Sequence, residues 1–92
     1  MTSRTVVVSN QLGLHARAAA RFVHLATRYT AQIRVARDQK AMDGKSIMGI
    51  LLLAAARGTT LTISADGPDE RDAVEALVQL VQTGFGEATW SA

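Results

Sequence analysis

Gly13-Leu14-His15-Ala16-Arg17 is the segment of this chain best suited to chemistry, with a histidine flanked by a glycine two residues before and an arginine two residues after. Glycine permits a tight approach of the backbone. The pattern places His15 where a strand has ended and a helix begins, facing unpaired backbone N–H groups and the positive end of the helix dipole. That position favours a neutral ring nitrogen, which is a nucleophile. If the nitrogen accepts a phosphoryl group, its oxygens can bond the amides near Ala16 and Arg17, and the Arg17 guanidinium adds a charge-assisted contact. Taken by its spacing alone, such a histidine is more often a cap or a solvated side chain. His24, in the middle of the same helix among polar neighbours, is expected to be merely solvated.

A second unusual feature is the ten-residue run 47–56, in which no residue supplies a polar helix face. A short surface helix cannot bury every direction. Some of Ile47, Met48, Leu51 and Leu52 are therefore expected to remain exposed as a docking patch, in which methionine adapts to more than one partner. The alternative is a fully buried helix. Ser46 is placed to cap this helix, and a phosphate added there would sit at the helix N-terminus and alter the charge of an adjoining patch.

The elements that must position these residues follow from periodicity. Val6-Val7-Val8 predicts a strand over residues 5–9. Ala19, Phe22, Val23, Ala26 and Tyr29 recur at helical spacing opposite Arg17, Arg21, His24 and Arg28, which predicts a helix over 16–28. Ala31, Ile33 and Val35 alternate with polar residues as a second strand, and residues 40–42 return as a third after the Asp38-Gln39 turn. The run 47–56 forms the second helix, stopped by Gly58. Leu61, Ile63 and Ala65 mark a fourth strand, and Pro68, near the first helical position, opens a last helix with Asp69, Glu70 and Asp72 in its first turn and a Val74, Leu77, Val78, Val81 stripe. The order is βαββαβα. Half-solvated strands predict an α+β fold, a four-stranded antiparallel sheet with helices on one face.

A chain of 92 residues makes one small domain. Its 48% hydrophobic and 20% charged residues suit a compact globule rather than a disordered chain. The absence of cysteine excludes disulfides, thiolate metal sites and cysteine nucleophiles, and suits a cytoplasmic protein. The N-terminal residues are polar and carry no signal-peptide pattern, and no apolar run is long enough to span a bilayer. Scattered basic residues with a net charge of +2 and 4% aromatic residues argue against nucleic acid as a partner. Neither a metal nor a cofactor is called for. The core is expected over about residues 5–83, with a tail over 85–92 in which Trp90 has no evident partner.

Gly13-Leu14-His15-Ala16-Arg17, Lys45-Ser46-Ile47-Met48-Gly49 and Thr62-Ile63-Ser64-Ala65-Asp66-Gly67, in that order and spacing, resemble the HPr family, the histidine-containing phosphocarriers of the bacterial phosphoenolpyruvate-dependent sugar phosphotransferase system. The resemblance runs from about Thr5 to Thr83. It implies an open-faced β-sandwich of four antiparallel strands and three helices, in agreement with the periodicity. It also implies that His15 is phosphorylated by enzyme I and passes the group to enzyme IIA domains, with Arg17 contacting the phosphoryl group. Ser46 matches the site of an HPr kinase/phosphorylase, and Ala20, Ile47, Met48 and Leu51 match the partner-binding surface. A carrier of this kind is a covalent intermediate rather than an enzyme.

Two residues depart from the family pattern. Ala18 stands where proline is usual, at a cost of a few tenths to about 1 kcal/mol in ordering the first helical turn. Leu12 stands where Asn or Ser is common, which removes a side-chain contact near the histidine. The same residues suit three alternatives. These are a regulatory phosphorelay component of a nitrogen-related branch without sugar transport, an acid–base enzyme using His15, for which the motif offers no carboxylate, and a purely structural binding module.

Overall fold

The structure is a computed structural model and describes residues 1–86. Its elements run β1 (Thr2–Val7), α1 (Ala16–Ala26), β2 (Gln32–Arg37), β3 (Lys40–Asp43), α2 (Ile47–Leu52), β4 (Thr60–Asp66) and α3 (Glu70–Gln82). The four strands form one antiparallel sheet in the order β1-β4-β2-β3, so the last strand to be made lies between the first two.

Alternation decides which face is covered. In β4, Leu61, Ile63 and Ala65 are buried, as are Ile33 and Val35 of the paired β2, whereas Gln32, Arg34 and Thr60 point to solvent. The covered face receives Ala18, Ala19, Phe22, Val23 and Ala26 from α1 and Ala73, Val74, Leu77, Val78 and Val81 from α3. The open face keeps polar cross-strand contacts, such as the Ser3 and Ser64 hydroxyls at 3.2 Å. This is the α+β open-faced sandwich expected from the sequence.

Several boundaries differ from expectation; α1, expected over 16–28, ends at Ala26 with Thr27 as its C-cap, and β3 runs one residue further, to Asp43. The first strand begins at Thr2 and ends at Val7 rather than covering 5–9. Ser3, Arg4 and Thr5 carry no apolar alternation. Pairing from Thr2 with Ala65 to Val7 with Thr60 sets the strand instead, and polar ties to α3 reinforce it, the Thr2 hydroxyl donating to Glu70 at 2.6 Å and Arg4 to Glu75 at 3.3 Å.

The second helix stops at Leu52 instead of Ala56. Leu53 and Ala55 turn inward to burial, and Ala54 between them adopts φ 51. Pro68 lies in the turn before α3, whose N-cap is Asp69. The core also reaches past residue 83, because Phe85, in a tight turn after α3, is completely buried. The expectation for Trp90 lies outside the described residues.

Candidate functional site

A buried asparagine shapes the loop that leads to the histidine. Asn10 is 5% exposed and its side-chain amide donates to the Gly13 carbonyl at 2.8 Å, while the Gly13 N–H donates back to the Asn10 carbonyl at 3.2 Å. Gly13 has φ +66, and a Cβ there would lie 2.4 Å from the Ala55 carbonyl oxygen. That same carbonyl accepts the Leu14 N–H at 2.9 Å, and the Leu14 side chain is buried beneath. Glycine is required here both for the left-handed backbone and for the close approach.

The fixed loop delivers His15 to the start of α1. His15 is the N-cap, with extended backbone (φ −79, ψ 178), and its carbonyl accepts the Ala19 N–H at 2.9 Å. Its Nδ1 accepts the Arg17 N–H at 3.3 Å. An accepting Nδ1 in a neutral ring places the proton on Nε2. The lone pair of Nδ1 is therefore directed at the helix N-terminal amides, and the first turn contains no acidic side chain to compete for them. The ring is half-buried and Ala16 and Arg17 are exposed, so the site is open to a macromolecular partner.

Arg17, Ala20, Arg21, His24 and Arg28 line a shallow groove along α1 with Leu25 and Leu80. His24, expected only to be solvated, is one of its walls. Arg21 also donates to the Phe85 carbonyl, joining α1 to the end of the described chain. The departures from the family pattern are both accommodated: Ala18 is fully buried inside α1, and Leu12 is 70% exposed in the turn before Gly13.

Ser46 is the N-cap of α2, and its Oγ accepts the Gly49 N–H at 3.1 Å. Beyond it, Ile47 and Met48 are exposed and Leu52 is 59% exposed, whereas Ile50 is buried. Leu51 is half-buried against the core, and the more exposed Leu52 adds to the outward apolar surface. Helix α2 packs on α1, which puts this surface on the element next to the histidine's own. Among the described residues no cluster of His, Asp and Glu could hold a metal ion.

Sequence reasoning missed Asn10 as the brace of the loop. An asparagine just after a β-branched run is a visible turn signal, but its burial depends on the fold around it.

The helix α3 begins quite differently. The Asp69 carboxylate accepts the N–H groups of Thr30 and Ala31, both at 2.9 Å, and these bonds hold its pKa below the ordinary value. Glu70 accepts the Thr2 hydroxyl, the Gly67 N–H at 3.2 Å and the N-terminal amine at 3.0 Å, which lower its pKa to about 2.

Comparison with known proteins adds an independent line. The family described as "PTS HPr component phosphorylation site" matches residues 2–83. The chain is 45% identical over 87 residues to the phosphocarrier protein HPr of Cupriavidus necator, covering 95% of this chain and 98% of that protein. It is 47% identical over 88 residues to the phosphocarrier protein HPr of Pseudomonas aeruginosa, with the same coverage. The crystal structure of HPr-C-His from Thermoanaerobacter tengcongensis superposes with a TM-score of 0.92 at 44% identity, covering 96% of this chain and 99% of that one.

Proposed function

The chain belongs to the HPr family of phosphotransferase-system phosphocarriers, and on that premise we propose that His15 accepts a phosphoryl group from phospho-enzyme I and hands it to enzyme IIA domains. The observation that carries this reading is the aim of the His15 Nδ1 lone pair at the Arg17 N–H from an accessible N-cap position. In the transfer, Nδ1 attacks phosphorus, the N–P bond to the donor histidine breaks, and the donor nitrogen leaves with the bonding electron pair. The new oxygens then lie where the α1 N-terminal amides point, beside the exposed Arg17 guanidinium. Delivery to an enzyme IIA histidine is the same exchange in the opposite sense.

A carrier must also let go. Main-chain amides at an open helix end stabilise the phosphohistidine without enclosing it, so donor and acceptor reach the same atom in turn. Ile47, Met48 and Leu51, joined by the exposed Leu52, with Ala20 and the basic wall of the α1 groove, supply an apolar and positively charged surface for such partners. The protein on this reading is consumed and regenerated within a relay rather than turning over a substrate. It works in the cytoplasm, and no helix among the described residues is long and apolar enough to cross a membrane.

Ser46 is the second modification site of the proposal. A phosphate on its Oγ replaces the bond to the Gly49 N–H with a dianion beside Ile47 and Met48, which opposes docking by desolvation and charge.

Incubation with phosphoenolpyruvate and enzyme I tests the reading. One phosphate is expected to add as an acid-labile, alkali-stable adduct, and His15→Ala is expected to lose it; retention in that variant would defeat the assignment. After treatment with ATP and HPr kinase/phosphorylase, an acid-stable adduct on Ser46 is expected to slow the His15 reaction.

A further inference from the structure

We propose that Arg37 is a positioning residue for His15, acting through the loop that ends α2. The inference rests on the phosphocarrier reading for its consequence and on the following contacts for its geometry. Arg37 is the last residue of β2, and its Nη1 donates to the carbonyls of Leu53 at 2.8 Å and Ala54 at 2.9 Å. These carbonyls stand at the C-terminal end of α2, where the helix leaves its acceptors without partners and a cation is favoured. The Arg37 Nε lies 3.5 Å from the Asp38 carboxylate, which steadies the guanidinium from the other side.

What Arg37 holds is a conformation that alanine disfavours. Ala54 has φ 51, in the left-handed region, and both carbonyls that flank its Cα, that of Leu53 and its own, accept from the guanidinium. The next residue presents the surface on which the histidine loop is moulded. The Ala55 carbonyl accepts the Leu14 N–H and sits where a Gly13 Cβ would be, and the Gly13 carbonyl in turn accepts the His15 N–H at 2.9 Å. Arg37, Ala54, Ala55, Leu14 and His15 thus form one run of contacts from the end of β2 to the backbone of the histidine. A sub-ångström shift at Ala55 is passed to the His15 backbone, from which the imidazole projects, because main-chain groups carry every link between the guanidinium and that backbone.

The test compares wild type, Arg37→Met, Ala54→Gly and the double variant. Arg37→Met is expected to slow phosphorylation by enzyme I about tenfold, within the loss that misplacement of a reacting group causes. It is also expected to speed hydrogen exchange at the Leu14 amide and to move the His15 ring signals in NMR spectra. Glycine adopts the left-handed conformation freely, so Ala54→Gly is expected to restore most of the lost rate in the double variant. Should Arg37→Met fail to fold, Arg37→Lys, with a shorter reach and no fork, carries the same comparison.

Wild-type phosphorylation with unchanged ring signals and Leu14 exchange would overturn the inference, whatever the melting temperature. Slower phosphorylation without either NMR change would also overturn it, assigning Arg37 to partner contact. If the wild-type protein takes up no phosphate, the phosphocarrier reading fails, while Leu14 exchange and the ring signals still decide the role of Arg37.

Discussion

The N-termini of α1 and α3 are built from the same backbone groups and finished in opposite ways. At α3, Asp69 and Glu70 bring carboxylates, and both are consumed by neighbours within the fold: Thr30 and Ala31 for one, Thr2, Gly67 and the N-terminal amine for the other. At α1 the first turn holds no acid, and the side-chain cap among the described residues is an imidazole nitrogen at the long distance of 3.3 Å. One helix end is closed by anions that belong to the protein; the other has no acidic side chain in its first turn and, on the proposed function, receives an anion that arrives. The lesson is that anion affinity at a helix end depends on what the sequence withholds as much as on what it supplies.

Copying the α3 solution onto α1 breaks the contrast most strongly. Ala16→Glu places a carboxylate in the first turn of α1, within roughly 5 Å of an incoming phosphoryl group, and repulsion at that range is expected to slow phosphorylation at least about tenfold. The same charge favours the helix dipole by about 0.3–1 kcal/mol, so the melting temperature is expected to hold or rise. Activity and stability then move in opposite directions. Phosphorylation at the wild-type rate, measured with enzyme I and phosphoenolpyruvate, would show that the empty first turn has no role.

The reverse change is expected to act on stability alone. Asp69→Ala removes the acceptors of two backbone N–H groups in the turn between α1 and β2, so its melting temperature is expected to fall by several degrees. Phosphorylation of His15 is expected to be unchanged, and a parallel loss of it would mean that the two helix ends are not independent.

The smallest effect concerns pH. Glu70 has a folded-state pKa of about 2 against an ordinary 4.5, so its contribution to stability is fully present above pH 4.5 and is lost as pH falls towards 2 and the native carboxylate is protonated. Denaturant titrations of Glu70→Gln across that interval are expected to show a shallower acid loss than wild type. Identical slopes would mean that the Thr2, Gly67 and N-terminal contacts do not persist in solution.

Much of this arrangement is legible in the residues themselves. Leu61, Ile63 and Ala65 announce β4 by strict alternation, and their burial in the structure matches. Ser46 is recognisable as a cap because a hydroxyl before an apolar run has few other uses at a helix start. The first strand is less legible, since Ser3, Arg4 and Thr5 pair with β4 without any apolar signal of their own. The end of α2 is illegible for a different reason. Nothing in the run 47–56 breaks a helix, and α2 ends where Arg37 reaches across from β2 to the Leu53 and Ala54 carbonyls and where Leu53 and Ala55 turn inward.

By itself, then, the sequence determined the element order, the buried faces of β2, β4, α1 and α3, and the meeting of glycine, histidine and arginine at a helix start. These depend on side-chain period and local backbone preference, which act within a few residues. Only the tertiary structure decided that Ala55 moulds the histidine loop, that Leu52 is more exposed than Leu51, and that Asn10 and Phe85 belong to the interior. Those outcomes depend on close packing and hydrogen bonds between segments tens of residues apart, and no local pattern encodes which distant backbone atom will be the partner.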